Sequence, residues 1–164
     1  MQLGRVERAG VFAALLLYPA CTAPPAASQF AVSPASAYSI PTSILLQPEE
    51  LNRILETSGV EKPLVLYVGS RVLFDQAHVP HSEYVGPASQ AAGLNALRDR
   101  LIGLPLGTFV VIYCGCCPWD RCPNVGPAYR LLADTGFTRV RVLYIADNFG
   151  VDWVKKGLPV ESTH

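Results

Sequence analysis

The chain has 164 residues, with 13 Lys+Arg balanced by 13 Asp+Glu, half of its residues hydrophobic and 16% charged. That length suits one domain with a real core, and the apolar content is too high for a wholly disordered chain. A balanced charge with pI near 6.8 argues against bulk electrostatic binding to nucleic acid, which needs clustered Lys and Arg.

The N-terminus reads as an export signal over residues 1–20. Arg5 and Arg8 precede the apolar run from Val11 to Tyr18, and small Ala20 closes it. The stretch from Ala9 to Ala20 would make roughly 18 Å of helix, too short for a bilayer core of about 30 Å. Cys21 follows Ala20 directly, an arrangement that resembles the bacterial lipobox. That resemblance implies acylation of Cys21 and a lipid-anchored, periplasmic location in the cell envelope; ordinary signal cleavage with Cys21 as a bystander is the alternative. Residues 21–42 are rich in Ala, Pro and Ser and carry no charge, the composition of a flexible tether. The folded domain is expected over residues 43–162.

Within it, Pro48 to Ser58 predicts a helix. Leu51, Ile54 and Leu55 share a face, Glu49 and Glu50 suit the positive end of the dipole, and Gly59 suits the stop. Leu64 to Val68 is a short apolar run that reads as a buried strand. Gln90 to Ile102 carries Leu94, Leu97 and Leu101 at helical spacing. Phe109 to Tyr113 is the strongest strand signal. A Gly- and Pro-containing loop runs from Cys114 to Pro123. A helix then carries Val125, Ala128, Leu131 and Leu132, with Asn124 as its cap and Gly136 as its stop. Arg141 to Tyr144 reads as a strand, and Phe149 to Lys156 as a last short helix. Alternation of helices with apolar strands calls for an α/β fold, a parallel sheet covered on both faces. Ligands in such folds sit beyond the carboxyl ends of the strands, where Cys114 stands.

Four of the five cysteines fall in Cys114-Gly-Cys-Cys-Pro-Trp-Asp-Arg-Cys122. A cysteine between a strand and a helix start meets loop N–H groups and a helix dipole, which lower a thiol pKa and hold an anion. Arg121 would add positive charge. Such a thiolate can attack electrophilic sulfur and hold the resulting persulfide. Cys114 is favoured as carrier by its place after the strand.

The chain at this point resembles the rhodanese-like domain over residues 40–161. The residues that carry the likeness are the helix and strand from Glu49 to Val68, Ala77-His-Val-Pro-His-Ser82, Val110-Val-Ile-Tyr-Cys114, Leu131-Leu132 with Gly136-Phe137 and Val140 to Leu143, and Trp153 to Val160. Tyr67 and Gly69 stand where that family usually has Asp and Arg, and the cysteine loop is enlarged. The resemblance implies a three-layer rhodanese-like fold and sulfane-sulfur transfer by Cys114 and Arg121. It also implies the alternative carrier, Cys116, which stands five residues before Arg121 as in the family's short loop. A small sulfur-donor anion and a thiol acceptor would be its partners, no cofactor would be needed, and Cys117 or Cys122 would resolve the persulfide.

Other readings of the four thiols stay open. They could be paired as disulfides in an oxidising compartment. They could act as a dithiol redox module through the C-x-x-C spacing of Cys114 and Cys117, or hold a soft metal such as Cu(I) or Zn. His78 and His81 read as hydrogen-bonded loop organisers before ligands or bases, Trp153 as core, Trp119 as pocket wall or loop cap, and Asp120–Arg121 as a solvated pair.

Overall fold

The computed structural model describes residues 40–163. The export signal over residues 1–20, Cys21 and nearly all of the tether lie outside the described residues.

Ten regular elements follow in chain order: β1 (Leu45–Leu46), α1 (Pro48–Glu56), β2 (Leu64–Tyr67), α2 (Arg71–Gln76), β3 (Glu83–Tyr84), α3 (Ala91–Leu101), β4 (Val110–Tyr113), α4 (Val125–Asp134), β5 (Val140–Leu143) and α5 (Phe149–Asp152). The five strands form one parallel sheet in the order β1-β5-β4-β2-β3. β4 is central, and all four of its residues are buried.

Because side chains alternate along a strand, β4 feeds two cores. Val110 and Ile112 pack with Leu97 and Leu101 of α3 and with Ala128 and Leu132 of α4. Val111 and Tyr113 pack on the opposite face with Leu51 of α1, Phe74 of α2, and Phe149 and Trp153. The sheet is therefore covered on both faces, as the sequence pattern requires. No helix among the described residues is long and apolar enough to cross a membrane.

Local chemistry sets the ends of the elements. α1 stops at Glu56, two residues before its expected end, where the Lys62 ammonium donates to the carbonyls of Ile54, Leu55 and Thr57 at 2.6–2.7 Å. A cation there satisfies carbonyls that the helix leaves unpaired. The expected last helix breaks in two. α5 ends at Asp152, Trp153 leaves helical geometry, and a 3₁₀ turn covers Val154–Lys156. The Trp153 ring is fully buried, and its indole N–H donates to the Pro159 carbonyl at 2.7 Å. That anchor fixes the chain's exit and ends the helix.

Candidate functional site

β4 delivers Cys114 to the C-terminal edge of the sheet, and the chain then turns sharply at Gly115. Gly115 has φ +93°, and a Cβ there would lie 2.8 Å from Phe149 Cβ. Glycine is thus required both by the left-handed backbone and by the close approach of α5. The Phe149 N–H donates to the Gly115 carbonyl at 3.0 Å, and the Trp119 N–H to the Ala146 carbonyl at 2.9 Å. The Trp119 ring lies 5.1 Å from that of Tyr144. The loop is pinned to the segment after β5 at both points, so Trp119 acts as a loop cap.

All four loop cysteines are free thiols. The sulfurs of Cys114 and Cys116 lie 3.1 Å apart, as do those of Cys116 and Cys117. The sulfurs of Cys114, Cys116 and Cys122 lie within 4.8 Å of one another. The sequence-predicted thiols are thus brought into one cluster, with Cys117 at its margin, where its thiol faces the Arg121 carbonyl at 3.8 Å.

Two expectations about this loop need correction. Cys114, favoured as the carrier with a lowered pKa, is 2% exposed, and its thiol is held well above the ordinary value. The causes are its hydrogen bond to Cys122, burial, and the neighbouring Cys122 charge. The depressed thiol is Cys122, drawn down to about 6, because the Cys114 thiol donates to it and the N–H groups of Asn124 and Val125 add to that. Cys117 is pushed up to about 12, first by burial and then by its bond to Cys116. The N–H groups at the start of α4 thus act on Cys122 rather than Cys114, and after the larger effect of the Cys114 thiol.

Asn124 is the second correction. It stands at the start of α4 but makes no side-chain cap bond. Its carbonyl oxygen accepts the Ser89 N–H at 3.0 Å, which turns its amide NH2 toward the sulfurs: 3.4 Å to Cys114 and 3.9 Å to Cys116. At 4% exposure, Asn124 is one of two buried polar side chains among the described residues; the other is His78. The oxygen that would cap α4 is taken by Ser89, and the buried NH2 finds its acceptors in the sulfurs.

Arg121 is 75% exposed, and its guanidinium lies 3.9 Å from Asp120. The pair is solvated, and what Arg121 offers the thiols is its backbone carbonyl. Beside the cluster opens a cavity of about 370 Å³ lined by Cys116, Gly115, Tyr67, Ala77, Phe149 and Val154, with Gln76 and Asn148 among its polar groups; none of its lining residues is charged. Cys116, half-buried, is the thiol that faces this space. Tyr67 brings a buried hydroxyl without a hydrogen-bond partner, and burial above all keeps it protonated. A methyl group on Gly69 would sit 2.7 Å from Tyr67 Oη and 2.9 Å from Cys114 Sγ, so a bare backbone is what lets these two meet.

The histidine segment lies apart from the thiols. His78 Nδ1–H donates to the Phe74 carbonyl at 2.7 Å, and its ring stacks on Phe74 at 3.9 Å. Its backbone pairs with Glu161, whose carboxylate also accepts the His81 N–H at 2.9 Å. Tyr113 Oη accepts the Val79 N–H at 2.9 Å and meets Ser82 Oγ at 3.0 Å. These are loop organisers.

The all-parallel sheet with helices on both faces is a rhodanese-like fold, and solved structures that resemble the chain include rhodanese-like domains. The Alr3790 protein from Anabaena sp. is 20% identical over 71% of this chain and 82% of its own, with TM-score 0.54. The BH2092 protein from Bacillus halodurans is 22% identical over 74% and 78%, with TM-score 0.56. A thiosulfate sulfurtransferase from Pseudomonas aeruginosa is 19% identical over 73% of this chain and 20% of its own, with TM-score 0.54. No family model and no curated protein matches the sequence.

Proposed function

We propose that the chain is a sulfurtransferase that carries sulfane sulfur on Cys116. The observation that carries this reading is the thiol cluster opening, through Cys116, onto an uncharged cavity also lined by Tyr67, whose hydroxyl is buried and unpartnered. The ionised sulfur is already present at Cys122. Cys114 donates to Cys122 and lies 3.1 Å from Cys116, a chain of sulfurs along which a proton can pass from Cys116 to Cys122. The Cys116 thiolate then attacks the outer sulfur of a persulfide donor, R–S–SH. The donor's S–S bond breaks, RS⁻ leaves with the electron pair, and Cys116–S–SH forms. An acceptor thiolate attacks the same outer sulfur, takes it, and returns Cys116 as thiolate. The Tyr67 hydroxyl and the Asn124 amide are the donors that steady negative charge at the sulfurs. With no cation among the lining residues, a singly charged or neutral persulfide is a better donor than the thiosulfate dianion.

The export signal, the lipid anchor on Cys21 and a periplasmic site of action belong to this proposal on the strength of residues 1–42. Incorporation of radiolabelled palmitate, lost in Cys21→Ser, tests them.

The chemistry is tested by treating the reduced chain with polysulfide or thiosulfate and weighing it intact. A gain of one sulfur atom is expected in the unmodified chain and in Cys117→Ser, and is absent in Cys116→Ser. No adduct with either donor, or an adduct indifferent to Cys116→Ser, overturns the reading.

A further inference from the structure

We infer that Cys114, Cys116 and Cys122 form a three-thiolate site for Cu(I). This goes beyond sulfur transfer and stands or falls separately from it, although both use the same thiols. Three sulfurs bound in a plane at about 2.3 Å from one ion lie about 4.0 Å from each other. Those of Cys114 and Cys116 lie 3.1 Å apart and all three within 4.8 Å, so shifts of under about 1 Å seat one ion among them. The group contains no carboxylate or imidazole. A pure thiolate set selects soft cations, Cu(I) before harder divalent ones. Structural Zn takes four ligands, and the fourth cysteine, Cys117, lies outside the triangle, whereas Cu(I) is content with three.

The surroundings suit such an ion. Cys114 is buried, which keeps water and oxidants from one side. The Asn124 amide, itself 4% exposed and held by the Ser89 N–H, points its NH2 at Cys114 and Cys116. Outer-shell donors of this kind orient thiolates and spread their charge. The α4 start adds further N–H groups at Cys122. The loop is tied down through Gly115 and Trp119, so the ligands are held in place before the ion arrives. Each ligand that still carries a thiol proton releases it to solvent on binding, the copper stays Cu(I), and no electron is transferred. An occupied site has no free Cys116, so copper and sulfane sulfur exclude one another.

The test is an anaerobic titration of the full reduced chain with Cu(I) buffered by bicinchoninate, followed by X-ray absorption at the copper edge. One Cu(I) per chain with three sulfur neighbours is expected. Cys114→Ser, Cys116→Ser and Cys122→Ser should each weaken binding about tenfold or more, and Cys117→Ser should leave it unchanged. Asn124→Ala, which keeps all three sulfurs, should weaken it about tenfold. Thermal melts of each variant separate ligand loss from unfolding. Copper left entirely with the chelator, a Cys117→Ser loss equal to the others, or a four-sulfur site filled by Zn would overturn the assignment. Sulfur uptake by the copper-free chain is unaffected by any of these results.

Discussion

Two polar clusters sit in the described domain, and they are built oppositely. In the clasp formed by His78, His81, Tyr113, Ser82 and Glu161, strong donors meet strong acceptors at 2.7–3.0 Å. In the thiol cluster, soft donors face one another, one amide serves two sulfurs, and the nearby Tyr67 hydroxyl has no partner. A closed network holds structure together because every group already has its bond. An open one keeps bonding capacity for a visitor. Under the proposed function, this contrast gives the histidines a part in stability and the cysteines a part in the chemistry.

The largest way to break that contrast is at Gly115, which joins the cluster to α5. Gly115→Ala combines a left-handed backbone with a methyl group 2.8 Å from Phe149, and should cost about 3 kcal/mol in chemical denaturation and abolish sulfur uptake. His78→Ala opens the clasp instead. It leaves the Phe74 carbonyl without its donor and should cost about 2 kcal/mol, with sulfur uptake per folded molecule unchanged.

The thiol cluster should also register in stability against pH under reducing conditions. Between about pH 6 and 9 the folded chain has already lost the Cys122 proton that the unfolded chain keeps. The stability contributed by Cys122 is therefore present at the alkaline end of that window and lost as pH falls through about 6. Above it the slope reverses, because Cys114 and Cys117 are held protonated only in the fold. Denaturation midpoints of the parent chain and Cys122→Ser check this, and the rise should vanish in the variant.

The smallest expected effects lie at the exposed rim of the clasp. Glu161→Gln should cost less than about 1 kcal/mol. His81 has φ +60° and a largely exposed side chain, so His81→Gly should gain about 0.5 kcal/mol in the same assay.

How much of this was legible in the sequence depends on element length. α1, α3, α4 and the strands β2, β4 and β5 announce themselves by apolar runs or helical spacing. α2 offers six residues with one buried side chain, and β1 and β3 two residues each, too little for any period to show. The thiol loop and its cluster followed from the four cysteines alone. Which sulfur faces the cavity did not, because that depends on how Gly69 and Tyr67 close over Cys114, far away in sequence. Asn124 was found in the right place for the wrong reason: an Asn before a helix is usually a cap, and only the Ser89 N–H, thirty-five residues away, turns its amide to sulfur. His81 carries a left-handed backbone, the conformation that glycine adopts most readily, and nothing in the run Ala77-His-Val-Pro-His-Ser82 shows that from spacing alone.

The central claim, that Cys116 and not Cys114 meets what enters the cavity, is tested most directly by timed alkylation of the native, reduced chain with peptide mapping. Cys116 should take the label well before Cys114, which should stay protected until the chain unfolds. Labelling of Cys114 first, or at the same rate, would contradict the account.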